Sequence, residues 1–166
     1  MSGPAVILRE ARVDDAEAMV AVHYASVRAI DREHYPRTVL AAWSPEPDAR
    51  RMDWMRGLLE SGRFAAFVAE RGEDVAGFAL CEASEGFLQA LYVHPDRTGG
   101  GVGRSLLAAC EKAMREHGNS TARVLASRNA VGFYRAAGYR ELGAASQPLA
   151  DGSLLACVEM SRALRA

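Results

Sequence analysis

The sequence holds little cysteine: three residues in 166, namely Cys81, Cys110 and Cys157. They are odd in number and far apart, which excludes a disulfide framework and offers no metal-ligand spacing. Each sits in an apolar periodic stretch, so reduced core thiols in a cytoplasmic protein are expected, with no metal. An excess of charge of one sign is also lacking. Twenty basic and 21 acidic residues give a formal net charge of −1, with no basic cluster. That balance argues against nucleic acid or an anionic membrane as a partner. No apolar run reaches the roughly 20 residues of a membrane-spanning helix. The opening MSGPAVILRE lacks a basic region followed by a long apolar core, so no signal peptide is expected. No internal repeat, low-complexity tract or linker interrupts the chain. What remains is an ordinary globular composition, 49% apolar and 25% charged, of a length that fits one domain over residues 1–166.

What is present is concentrated in residues 91–107, LYVHPDRTGGGVGRSLL. A short apolar run, Leu91-Tyr92-Val93, stops at His94-Pro95-Asp96, because proline has no N–H for a sheet ladder. Gly99, Gly100, Gly101 and Gly103 follow, around Val102. Behind them Val102, Leu106, Leu107, Cys110, Ala113, Met114 and His117 share one face at the helical period. Strand, glycine loop and helix in that order gather unpaired N–H groups at the positive end of a helix dipole, which makes a phosphate cradle. Two named cradles fit poorly. The P-loop spacing puts Thr98 in place of its first Gly and Arg104 in place of its Lys. The dinucleotide fingerprint puts Arg104 in place of its third Gly.

The rest of the chain arranges itself around this stretch. A strand over 6–8 leads to a helix that Asp14 or Asp15 can cap, with Glu17 in its first turn. Ala16, Met19, Val20, His23, Val27 and Ile30 fall on one face of it. His23 is either a hydrogen-bonded core residue or part of a substrate wall. Tyr35-Pro36 ends that helix. Short helices over 39–43 and after Asp48 follow, the latter carrying Met52, Trp54, Met55, Leu58 and Leu59. These pieces, about residues 14–60, form an insert suited to framing a substrate. From Phe64 the pattern becomes strands: 64–70 and 75–81 flank the turn Arg71-Gly72-Glu73-Asp74, and 87–93 completes a meander. Gly118-Asn119 stops the main helix. A strand over 123–126 lies parallel to the one ending at Val93, because a helix intervenes. A helix over 129–137, closed by Gly138, precedes strands over 139–142 and 154–160, joined at Asp151-Gly152.

Residues 127–139 read SRNAVGFYRAAGY. They resemble the second signature of the GNAT superfamily of N-acetyltransferases through Asn129, Ala130, Phe133, Tyr134, Gly138 and Tyr139. Val93-His94-Pro95 and Gly99-Gly100-Gly101-Val102-Gly103 resemble the same family's acetyl-CoA motif. Thr98 stands where the family has Arg or Gln, with Arg97 one place early. The resemblance covers most of the chain, with a cofactor core at about 64–140. It implies a mixed α/β (α+β) fold: a twisted, mostly antiparallel sheet of six to seven strands with one parallel, splayed pair, flanked by about four to five helices.

The resemblance also implies an acetyl-CoA-dependent N-acetyltransferase. The acetyl group passes to a primary amine of a small molecule, protein or peptide by direct attack in a ternary complex. Leu91, Tyr92 and Val93 would serve the thioester carbonyl. Gly99, Gly100, Gly101, Val102, Gly103 and Arg104 would hold the diphosphate, and Asn129 the pantetheine arm. Tyr134 would protonate the departing thiolate. The strand that often carries a base in the family offers Gln89 and Ala90, neither of which is one. Glu82, Glu85 and His23 are alternatives, as are a water relay and an amine that arrives neutral. His23, Glu82 and Gln89 are the candidate acceptor contacts, and a homodimer is left open. Two rival readings remain at this point: a non-catalytic acyl-CoA sensor on the same fold, and a P-loop-like nucleotide-binding protein.

Overall fold

Strand β3 (Asp74–Glu82) is buried from residue 76 through 81, out of solvent on both faces. In the computed structural model, which describes residues 3–165, it lies in a seven-stranded sheet ordered β1-β2-β3-β4-β5-β7-β6. The two ends of the expected 1–166 unit, residues 1, 2 and 166, lie outside the described residues. The other strands are β1 (Val6–Glu10), β2 (Ala65–Arg71), β4 (Phe87–Val93), β5 (Thr121–Ser127), β6 (Arg140–Pro148) and β7 (Leu154–Ala163). Five helices accompany them: α1 (Ala16–Arg28), α2 (Arg37–Trp43), α3 (Ala49–Glu60), α4 (Val102–Glu116) and α5 (Val131–Ala136). Every neighbouring pair of strands is antiparallel except β4 and β5, which are parallel. The fold is therefore the mixed α/β sheet with one parallel pair that the family resemblance implied.

Helices cover both faces of the sheet. On one side α4 packs Val102, Leu106, Leu107, Cys110 and Met114 against Ala79, Cys81, Val124 and Met160. On the other, Met19 and Val20 of α1 and Met55 of α3 meet Val68, Phe78 and Leu80. Adjacent residues of β3 thus serve opposite cores, as the two-residue period of a strand requires. All three cysteines are buried and free. No helix among the described residues is long and apolar enough to cross a membrane.

Tyr35 fixes the insert to the sheet. Its hydroxyl donates to the Ala156 carbonyl at 2.6 Å and accepts from the Arg128 amide at 2.9 Å. One phenol therefore ties the chain between α1 and α2 to β7 and to the segment entering α5. Val27, Leu40 and Leu155 pack around it.

Several local expectations differ from what the chain does. Asp15 does not cap α1 through its side chain. The Arg9 guanidinium takes both of its carboxylate oxygens at 2.8 Å, and the Arg12 amide donates to one of them at 2.6 Å. Those bonds, chiefly the one from Arg9, hold its carboxyl below the usual range. His117 is exposed, because α4 ends at Glu116 and the ring folds back to the Ala113 carbonyl. Trp54 is 62% exposed, while Met55 is buried and Met52, Leu58 and Leu59 pack against the same core. Strands β6 and β7 are longer than expected, pairing from Arg140↔Ser161 to Pro148↔Leu154. As the edge strand, β6 is largely solvated and needs no apolar alternation, so its length left no mark in the sequence.

Glu111 is the acidic residue buried within α4. It accepts from the Tyr139 hydroxyl at 2.8 Å and from Arg162 Nη1 at 3.0 and 3.1 Å. This joins α4 to the α5–β6 connection and to β7. Removing the cation leaves a carboxylate facing the core. Arg162→Met is expected to lower unfolding free energy by about 2 kcal/mol, below the ~3–5 kcal/mol of a fully buried pair, because the Arg162 side chain keeps 37% exposure. Urea denaturation checks it.

Candidate active site

The parallel pairing of β4 with β5 extends over two residue pairs, Phe87↔Arg123 and Leu88↔Val124. The next residue, Gln89, is an extra one. Leu80 pairs with Ala90 and Cys81 with Leu88, so Gln89 is bulged out of the β3 ladder. A bulge bends its strand and ends regular pairing. From Gln89 to Val93 the β5-facing edge of β4 therefore has no strand partner, and its backbone groups on that side are open to whatever enters.

A cleft of about 410 Å³ fills the space where the strands part. A smaller recess of about 50 Å³ lies between β4 and β5 nearer their pairing. The two share the walls Trp43, Leu91, Tyr92, Ser127, Ala130 and Tyr134. The cleft takes Ser26, Ile30 and Trp43 from the helical insert, so the insert frames it. Among the described residues, Arg104 is the one charged residue lining either space.

Strand β4 ends as the proline required. The His94 amide donates to Ala76 O at 2.8 Å, and Pro95–Arg97 form a single 3-10 turn. Gly99, Gly100 and Gly101 then follow with φ of 88°, 63° and 79°, left-handed values that a side chain resists. Gly101 is the N-cap of α4, and its carbonyl accepts from Ser105 at 2.9 Å. A Cβ on Gly99 or Gly101 would meet no atom within 4 Å. The loop leaves open space at the positive end of a 15-residue helix, which suits an anionic group such as a diphosphate.

The four glycines do different things. Gly99, Gly101 and Gly103 line the cleft, whereas Gly100 does not. A Cβ on Gly100 would overlap the guanidinium of Arg71. Gly103 has no positive φ. A Cβ there would sit 3.0 Å from the ring of Phe133, so this glycine lets α5 approach α4. Arg104 reinforces that approach by donating to Ala136 O at 3.1 Å.

Of the residues singled out from the sequence, Leu91, Tyr92, Val93, Val102, Asn129 and Tyr134 join Gly99, Gly101, Gly103 and Arg104 in the wall of the cleft. Asn129 lies in a 3-10 turn, Arg128–Ala130, and α5 begins after it at Val131. It is exposed and does not cap the helix, so its amide is available to a ligand. Phe133 is only partly buried, and Tyr134 is the deeper of the two at 4% exposure. Tyr134 stands edge-on to Phe133 and Tyr139, with centroids 5.1 and 5.5 Å away. Burial raises the pKa of its phenol, so it stays protonated throughout the neutral range. Tyr92 is likewise pushed up to about 12 by burial.

The candidate acceptor residues do not come together. Gln89 lines the small recess. Glu82 is engaged at the far end of β3 by Arg63, at 2.8 Å, and lines neither space. His23 lies behind the wall, its ring 4.4 Å from that of Tyr92. Its Nδ1 is 2.8 Å from Ser44 Oγ and 3.2 Å from Arg51 Nη2. Because Arg51 can only donate, Nδ1 is the acceptor and the ring is the neutral Nε2–H tautomer. Sequence reasoning missed Trp43 as a wall residue, Tyr35 as a tie and Arg71 as a loop contact. Each acts across a sequence distance that local patterning does not register.

Burial, and then the charge of Arg51, pull the His23 pKa from the usual 6.5 to about 3. Between those values the unfolded chain holds a proton that the folded chain refuses. Stability is therefore full above pH 6.5 and falls as the pH drops toward 3, by up to about 1.4 kcal/mol per pH unit. His23→Gln is expected to flatten that part of the stability profile relative to wild type. Denaturation midpoints at pH 7, 6, 5 and 4 check it.

The chain matches the family model described as "Acetyltransferase (GNAT) domain" over residues 34–160. No curated protein matches it. Among solved structures it is similar to a GCN5-related N-acetyltransferase from Rhodopseudomonas palustris, at 28% identity and a TM-score of 0.87, over 99% of both chains. A ribosomal-protein-alanine N-acetyltransferase from Brucella melitensis aligns at 26% identity and 0.68, over 95% of this chain and 99% of that one. PaiA N-acetyltransferase from Thermoplasma acidophilum, solved in complex with coenzyme A, shares the fold at 18% identity and 0.74, over 98% and 99%. With a family match across most of its length and the parted parallel pair that defines the cleft, this chain belongs to the GNAT family of acetyltransferases.

Proposed function

We propose that the protein transfers an acetyl group from acetyl-CoA to a primary amine of a small molecule, protein or peptide, by direct attack while both are bound. The observation that carries this reading is one cleft wall. It unites the left-handed glycine loop, the unpartnered edge of β4 and the buried phenol of Tyr134. The diphosphate would lie on the loop at the start of α4, with Gly99 and Gly101 allowing close approach. Asn129 would hydrogen-bond the pantetheine arm. Acetyl-CoA supplies an activated thioester. Backbone N–H groups along 91–93 would stabilise the negative charge that develops on its carbonyl oxygen.

The amine nitrogen forms the new C–N bond as the C–S bond breaks. Its surplus proton leaves to solvent, and the departing sulfur takes one from Tyr134, which solvent then restores. Among the described residues, no carboxylate or imidazole lines the cleft or the recess. The acceptor amine would therefore enter already neutral, or lose its proton to water. Trp43, Tyr92 and Gln89 would contact it where cleft and recess meet. The test is release of free CoA over a panel of amines, from polyamines to peptide N-termini. Turnover with one of them supports an enzyme, with a rate that rises along that amine's own titration. Binding of acetyl-CoA with no turnover on any of them would make the chain a sensor instead.

Gly101→Asp places a carboxylate where the phosphates would lie. It is expected to weaken acetyl-CoA at least about a hundredfold in calorimetry, while the circular dichroism spectrum stays native. Wild-type affinity would remove the loop from the cofactor site.

Tyr134→Phe keeps the packing against Phe133 and Tyr139 and deletes the proton. It is expected to lower kcat by roughly tenfold or more, within the range for a lost general acid. The Kd for acetyl-CoA should change much less. Weaker binding with intact kcat would leave Tyr134 as a contact only.

A further inference from the structure

The glycine loop is held from behind by the tip of the β2–β3 hairpin. Arg71, the last residue of β2, donates from Nη2 to the Gly99 carbonyl at 3.2 Å. Its guanidinium fills the space beside Gly100, where any Cβ would overlap it. Asp74, the first residue of β3, pairs with Arg97 at 2.5 Å, just ahead of the loop. Arg71 and Asp74 face each other in the β2–β3 register. Two residues at one hairpin tip therefore grip both the entry to the loop and its middle. The Nε–H of Arg71 is buried without an acceptor among the described residues.

Three successive glycines in left-handed conformation have more freedom to lose than any other sequence. A loop that must order itself on binding gives up affinity to that ordering. Here Gly99 and Gly101 face the cleft while Gly100 faces Arg71. This arrangement fixes the outer two by seating the middle one. Thr98 and Arg97 do not supply such a hold from within the loop: Thr98 bonds back to Pro95 O at 3.4 Å, and Arg97 is committed to Asp74.

We propose that Arg71 is a positioning residue that presets the Gly99–Gly101 backbone for the diphosphate of the cofactor. The proposal rests on the acetyl-CoA reading above. Its action is confined to the diphosphate end, so a cofactor fragment without that end should not register its loss.

The experiment compares acetyl-CoA with S-acetylpantetheine, which lacks the nucleotide and diphosphate, in wild type, Arg71→Met and Arg71→Lys. Arg71→Met is expected to raise KM and Kd for acetyl-CoA about tenfold, with kcat and the KM for S-acetylpantetheine within about twofold of wild type. Arg71→Lys keeps the charge but cannot bond Gly99 and fill the space beside Gly100 together. It should show the same selective loss, and it decides alone if Arg71→Met does not fold. Unchanged acetyl-CoA affinity overturns the proposal. So does equal weakening of both ligands, which is the mark of a general structural defect. A Lys variant equal to wild type assigns the effect to charge and overturns positioning. Wild-type protein that neither binds nor turns over acetyl-CoA defeats the functional reading itself, a result separable from all of these.

Discussion

The one parallel pairing in the sheet, β4 with β5, has to break off for this site to exist. Ladder hydrogen bonding between β4 and β5 holds for two residue pairs, and the bulge at Gln89 then ends it. Backbone groups cannot be left buried and unpaired without cost, so the interruption has to be solvated or filled. Every element near the cleft can be understood by its relation to that interruption. The α4 N-terminus faces it from one end, α5 and Tyr134 form a side, and the insert with Trp43 forms another.

Because the strands do not hold one another there, polar ties hold the surroundings. Tyr35 joins the insert to β7 and the approach to α5. Glu111 joins α4 to Tyr139 and Arg162. Arg104 joins α4 to the end of α5, and Arg97 joins the glycine loop to the β2–β3 turn. Each replaces, with one or two charged or phenolic bonds, the register that continuous pairing would otherwise impose. Bonds to charged groups are among the stronger ones available to a protein, so a few are enough.

Local chemistry was legible in the sequence, and through-space chemistry was not. Pro95 and the glycine run announced the end of β4 and the start of α4, because proline fixes φ and lacks an N–H while glycine opens left-handed φ, each a local backbone effect. The Arg71–Asp74 turn and the Asp48 cap were readable for the same reason, and Asp48 does accept from the Arg51 amide. The face of α1 was readable from its period, with Met19, Val20 and Val27 buried. What His23 meets was not, since Ser44 and Arg51 come from another helix and its approach. Gly100 and Gly103 look alike in sequence. Only their neighbours, Arg71 and Phe133, separate their tasks. The bulge at Gln89 is invisible because a register shift leaves no composition signal. Asp15 misled because a carboxylate at a helix start looks like a cap whether or not a cation claims it.

The brief contact of β4 with β5 also divides the sheet mechanically. Strands β1 to β4 form one leaf and β5, β7 and β6 another, joined in the sheet by a seam two residue pairs long. A molecule lying along the cleft would touch β4 on the first leaf and Ser127 at the end of β5 on the second, and would act as a splint across the seam. Binding that favours the folded state raises stability by mass action, by about 2.7 kcal/mol at a hundred times Kd. Filling the cleft would therefore add to the stability of the fold by holding the two leaves together across that seam.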